Sequence, residues 1–276
     1  MKNYSLAFSP CPNDTFIFDA MIHGRLADYK DTWDVHLMDV EALNRNAANH
    51  MFDVTKLSFA AYAFVSNHYR ILAAGSALGR GCGPLIISKV PMNIDDLKDA
   101  VIAIPGKHTT AHLLMSMFVK ECKGKVEMLF SDIEEAVLSG KVDAGLIIHE
   151  NRFTYAAKGL HKVADMGALW EEKTGNPIPL GCIAIKRSLP QEEMKVIENQ
   201  IKNSVQFAFS YPELSKPYIK AHAQEMSEEV QQQHINLYVN DFSIDLGTEG
   251  RNAISELFNE GQKAGILPEL VHPVFV

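Results

Sequence analysis

The chain has 276 residues, 47% of them hydrophobic and 22% charged, enough apolar material for a sizeable core and unlike a disordered or coiled-coil composition. Its formal net charge of −8, with no clustered run of Lys and Arg, excludes nucleic acid as an expected partner, because neutralising phosphates needs concentrated positive charge. The opening residues lack the apolar stretch of a secretory signal and no segment approaches a membrane span, so no membrane partner is expected and the cytoplasm is the expected compartment.

The N-terminal part alternates strands and helices. A strand is expected over Tyr4–Ser9, followed by the stiff turn Pro10-Cys11-Pro12 and a helix capped through Asn13 or Asp14 and stopped near Gly24. Trp33–Val40 reads as a second strand, Glu41–Asn49 as a helix and Asp53–Leu57 as a third strand feeding a helix at Ser58. Further strands are expected at Ile71–Ala74 and Pro84–Ser88. The glycines Gly79, Gly81 and Gly83 between them read as a flexible hinge, since no helix follows to complete a dinucleotide site.

A second set begins with a strand over Ala100–Ile104, the turn Pro105-Gly106-Lys107-His108 and a helix opening at Thr109-Thr110. A strand at Val126–Phe130, a helix over Asp132–Leu138 and a strand over Val142–Ile148 continue the alternation, and Leu180–Ile185 is another apolar strand. From about Pro190 the pattern turns helical, with helix-period spacing in Glu192–Phe209, Glu228–Val239 and Glu249–Ala264. These elements fit two α/β lobes. Residues 1–88 with 186–276 form the larger and residues 89–185 the smaller, with two connecting strands that permit hinge closure over a cleft.

Ligands of open α/β sheets gather at the carboxyl ends of strands, and His149 falls at such an end. Histidine suits proton abstraction near neutral pH, although a strand-end histidine can also simply bond a loop. Thr109 and Thr110 lie where unpaired helix N–H groups and two hydroxyls favour a carboxylate or hydroxylated ligand; ordinary capping is the plainer alternative. Lys56-Leu57-Ser58 repeats that logic after the third strand. Cys11, Cys82, Cys122 and Cys182 are scattered without a C-x-x-C pair, and His108 and His112 lack the intervening Glu of a zinc-protease helix, so no metal is expected.

Several blocks, in order, resemble those of the 1,4-dihydroxy-6-naphthoate synthase family of the futalosine route to menaquinone. They are Ser9-Pro10-Cys11-Pro12-Asn13-Asp14-Thr15-Phe16, Lys56-Leu57-Ser58, Gly79-Arg80-Gly81-Cys82-Gly83-Pro84, Pro105-Gly106-Lys107-His108-Thr109-Thr110, Gly145-Leu146-Ile147-Ile148-His149-Glu150 and Asn176-Pro177-Ile178-Pro179-Leu180-Gly181. The resemblance implies a two-lobed α/β fold like that of periplasmic solute-binding proteins, of type II, with a central cleft and two crossover strands. It implies a lyase that converts cyclic dehypoxanthine futalosine to 1,4-dihydroxy-6-naphthoate and dihydroxyacetone without a cofactor. Carried over residue by residue, it makes His149 the proton acceptor and Lys56, Leu57, Ser58, Thr109 and Thr110 substrate-binding residues; no role comes with it for Cys11, Asn13 or Asp14. The small-molecule substrate is the one partner expected. A non-catalytic carboxylate-binding protein and a chorismate dehydratase-like enzyme are the competing readings, and the sequence leaves the oligomeric state open.

Overall fold

The computed structural model describes residues 2–119, 121–224 and 227–276. Its contacts group the chain into two compact units, Met1–Gly79 with Pro179–Val276, and Arg80–Ile178.

The first unit opens with β1 (Asn3–Phe8), α1 (Pro12–Ile22), β2 (Thr32–Leu37), α2 (Val40–Ala48), β3 (Val54–Ser58), α3 (Phe59–Val65), β4 (Tyr69–Ile71) and β5 (Ala77–Gly79). β1 pairs in parallel with both β2 and β3, so each link between them is a helical crossover. Leu6, Ala7 and Phe8 are wholly buried, as expected of a central strand covered on both faces. In α1, Pro12 holds the first-turn position, where its missing N–H costs nothing, and Cys11 is the N-cap. The expected cap at Asn13 or Asp14 is therefore displaced: both residues lie inside the first turn and spend their side chains elsewhere. Ten of the helix's eleven residues are buried, so its carboxylates must find partners inside. Asp19 takes bonds from His23, Arg25 and Ser215.

The second unit follows with β6 (Leu85–Ser88), β7 (Val101–Ile104), α4 (Thr110–Phe118), β8 (Gly124–Glu127), α5 (Ile133–Leu138), β9 (Ala144–Ile147), α6 (Asn151–Thr154), β10 (His161–Asp165) and α7 (Met166–Thr174). Its sheet runs β10-β6-β9-β7-β8. β7 is parallel to β8 and β9, whereas β6 is antiparallel to β9 and β10, so the strand before His149 has one neighbour of each kind. Gly145 lets α5 lie close on β9, because a Cβ there would sit 2.5 Å from Ile133 Cγ2. β10 and α7 were not foreseen in the sequence. β10 is an edge strand, its first two residues exposed, and it lacks the apolar run that marks a covered strand.

The chain then returns to the first unit with β11 (Ile178–Lys186), α8 (Gln191–Ser210), α9 (Pro212–His222), α10 (Glu228–Tyr238), α11 (Asp241–Ile244) and α12 (Gly247–Lys263). β11 pairs antiparallel with β3 and β4. Leu6, Phe8, Phe18, Ile183, Ile201 and Val205 belong to one core cluster that joins β1, β11, α1 and α8. Two prolines hid α9 from the sequence pattern: Pro212 opens the helix and Pro217 lies inside it.

Gly83 is not a hinge glycine. A Cβ on it would lie 2.3 Å from the Gly167 backbone, so its missing side chain lets two main chains touch. Gly81, with φ at +66° and open space around it, is the position where the turn itself needs glycine.

Candidate functional site

In the first unit, the carboxyl ends of the parallel strands β1 and β3 carry the polar residues. Asp14 is buried and its carboxylate is fully subscribed. Oδ2 accepts from the Ser9 N–H at 3.2 Å and the Ser9 hydroxyl at 2.7 Å. Oδ1 accepts from Asn13 Nδ2 at 2.9 Å and from Lys56 Nζ at 2.8 Å. Lys56 Nζ also donates to the Gly75 carbonyl at 3.2 Å. The lysine stem crosses β11 at Gly181, where a Cβ would stand 3.2 Å from Lys56 Cε.

Ser58 closes β3. Its N–H donates to Asn44 Oδ1 at 3.0 Å and its hydroxyl accepts from Asn44 Nδ2 at 3.2 Å, which ties α2 to the end of the strand. Ser58 occupies the N-cap position of α3 but makes no side-chain capping bond. Leu57 is wholly buried in the core, so any bond from it to a ligand must come from its main chain. Beside this strand, the Cys182 thiol is pushed up to about 12 by burial, with the Lys56 charge opposing the shift.

In the second unit, Thr109 and Thr110 follow the carboxyl end of β7, and their roles separate. Thr109 is the N-cap of α4: its hydroxyl accepts from the His112 N–H at 3.1 Å and donates to the Gly106 carbonyl at 2.9 Å. Thr110 is the first helical residue and is buried. His112 puts one ring nitrogen on the Lys107 carbonyl and the other near Lys125 Nζ, so both are engaged outside any metal geometry.

His149 lies two residues past β9, partly buried, with φ at +57°. Its ring stands edge-on to Phe130 with centroids 4.8 Å apart. One other non-glycine residue with positive φ is described, His50, and there the conformation simply terminates α2. At His149 no preceding helix asks for it. A left-handed backbone on a side-chain-bearing residue costs of order 1 kcal/mol and gathers at functional positions.

The segment after His149 is anchored from behind. Arg152 donates one guanidinium nitrogen to the Gly83 carbonyl and another to Asp165 Oδ2 at 2.8 Å. Asp165 Oδ1 in turn caps α7 through the N–H groups of Gly167 and Ala168, at 2.9 and 3.1 Å. Neither this knot nor the Asn44–Ser58 clamp is legible in the sequence, apart from the Gly83 block. Burial also pushes the Cys82 thiol up to about 12, with Arg152 opposing, which leaves it a poor nucleophile near neutral pH.

A cavity of about 540 Å³ lies elsewhere in the first unit, lined by residues of α1, α9 and α10 that include Phe16, Lys216, Ile219 and Ile235. None of the strand-end residues lines it, so it is not where this chemistry gathers.

The two α/β units with polar strand ends are those of a periplasmic-binding-protein-like fold. The alkanesulfonate-binding protein of Xanthomonas axonopodis pv. citri superimposes with a TM-score of 0.71 at 14% identity, covering 98% of this chain and 95% of that one. A crystallised protein from Archaeoglobus fulgidus reaches a TM-score of 0.91 at 35% identity, over 96% of this chain and 98% of its own. The family described as Menaquinone biosynthesis matches residues 4–263. Relatives named 1,4-dihydroxy-6-naphtoate synthase are 45% identical in Thermus thermophilus, over 100% of both chains, and 43% identical in Streptomyces coelicolor, over 96% of this chain and 95% of that one. The chain belongs to this family and is an enzyme of menaquinone biosynthesis.

Proposed function

We propose that the protein is a carbon–carbon lyase that converts cyclic dehypoxanthine futalosine to 1,4-dihydroxy-6-naphthoate and dihydroxyacetone, with His149 as the base. Full-length identity of 45% to a relative named for this product carries the reading. The left-handed backbone of His149 supports its role, since such a conformation at a side-chain-bearing residue is retained against its cost. In the proposed step the neutral imidazole takes a proton from a carbon beside an electron-withdrawing group. The electron pair left behind expels the sugar-derived three-carbon fragment, and the new ring becomes aromatic. The electrons balance without an oxidant. Lys56, Ser58 and Thr110 bind the substrate through their polar groups, Leu57 through its main chain, and Thr109 by holding the start of α4. Four free cysteines agree with a reaction in the cytoplasm, where thiols stay reduced.

The test is turnover of cyclic dehypoxanthine futalosine by the purified protein, with His149→Ala beside it and product followed by chromatography. Product from the wild type and none from a folded variant is the expected result. No product from a folded wild type would refute the lyase reading; turnover of chorismate instead would favour a dehydratase.

A further inference from the structure

We infer that Asp14 is a positioning residue for the reaction: its carboxylate holds and aims the Lys56 ammonium, so that one N–H of Lys56 remains for an oxygen acceptor of the substrate. This rests on the proposed binding role of Lys56.

The two side chains are 7% and 2% exposed and meet at 2.8 Å. Lys56 Nζ has three N–H donors. Asp14 and the Gly75 carbonyl take two of them, and no partner for the third is found among the described residues. A buried ion pair is a poor device for stability. Removing both ions from water costs several kcal/mol, and well-packed apolar replacements are often neutral or stabilising. What such a pair does supply is a charge with a fixed direction.

The surroundings fix that direction from several elements. Gly181 leaves space for the lysine stem. The two Ser9 bonds hold the far carboxylate oxygen. Asn13 completes the set, and its own orientation is determined. Because its Nδ2 donates to Asp14, its Oδ1 must be the atom that faces His234 Nε2 at 2.9 Å. His234 on α10 therefore carries its proton on Nε2 and donates it to Asn13. The chain His234–Asn13–Asp14–Lys56 thus runs through α10, α1 and β3. Titratable groups near Lys56 include Asp14 on α1, Cys182 on β11 and, through Asn13, His234 on α10.

The experiment compares KM and kcat for wild type, Asp14→Asn, Lys56→Met and the double variant Asp14→Asn/Lys56→Met in one buffer, with thermal melts of each. In Asp14→Asn the buried Lys56 side chain loses its counter-charge and the fixed direction that came with it. KM then rises about tenfold or more, the scale of a lost charged hydrogen bond, with a smaller change in kcat. The double variant leaves no unpaired charge at this position, so it folds even if Asp14→Asn does not, and its KM is raised as well. A merely structural pair would give the opposite: wild-type KM in the double variant. That result, or a folded Asp14→Asn with wild-type KM, overturns the inference while the lyase reading stands. A folded wild type without turnover overturns both.

Discussion

Replacing Gly83 by Ala tests whether close backbone contact, and not hinge flexibility, is what this glycine provides. The new Cβ would lie 2.3 Å from both Cα and N of Gly167, atoms of the main chain that cannot rotate away. Gly167 sits in the first turn of α7, where its N–H is held by Asp165, and the Gly83 carbonyl is held by Arg152. Relief therefore requires shifting two anchored segments, an overpacking cost of about 3 kcal/mol. The smaller entropy of an unfolded alanine returns less than about 1 kcal/mol. The net loss of roughly 2 kcal/mol lowers Tm by about 4–8 °C for a chain of this size. Gly81→Ala is the internal comparison. It meets nothing within 4 Å but must adopt φ near +66°, a cost of about 1 kcal/mol and a Tm loss of about 2–4 °C. Calorimetric or circular-dichroism melts under one buffer condition decide. A Gly83→Ala protein that melts at or above Gly81→Ala would refute the close-contact argument and restore the hinge.

The two threonines separate by readout: Thr109→Val loses the cap bond to His112 and about 1 kcal/mol of stability, measurable by denaturant titration, whereas Thr110→Val raises KM with little change in Tm. Equal effects of the two on both readouts would contradict that division. His149→Asn lowers kcat at least roughly 100-fold in a protein with wild-type melting behaviour, the scale of a general base, and an unchanged kcat would remove His149 from that role. Burial holds the Glu198 carboxyl above its ordinary range, against bonding from the Ala73 N–H and the nearby Arg251 charge. A raised carboxyl contributes stability below its unfolded value, and that contribution is lost as pH rises through the folded one. Glu198→Gln should thus melt higher than wild type near pH 7 and match it near pH 4; a lower Tm at neutral pH would refute this.

The sequence by itself determined the alternation of elements and the placement of the strand-end residues. β1, β7 and β9 are largely apolar runs that announce the positions after them, Ser9, the Thr109 turn and His149, while β3 closes on Ser58. Periodicity and turn chemistry act over a few residues, so they can be read from a string. The partners of those residues could not be. Lys56 looks like any surface lysine until Asp14, 42 positions away, is found against it. His234 sits in a polar helix with no distinguishing pattern and still reaches Asn13 across 221 positions. Arg152 becomes an anchor for the His149 turn only because Gly83 and Asp165 come to it from 69 and 13 residues away. The left-handed backbone of His149 is likewise not legible in the sequence, since no preceding helix calls for it. Tertiary structure decided these pairings because desolvation makes a buried charge or amide costly without a partner, and the partner that satisfies it is chosen by where the chain folds, not by what adjoins it in sequence.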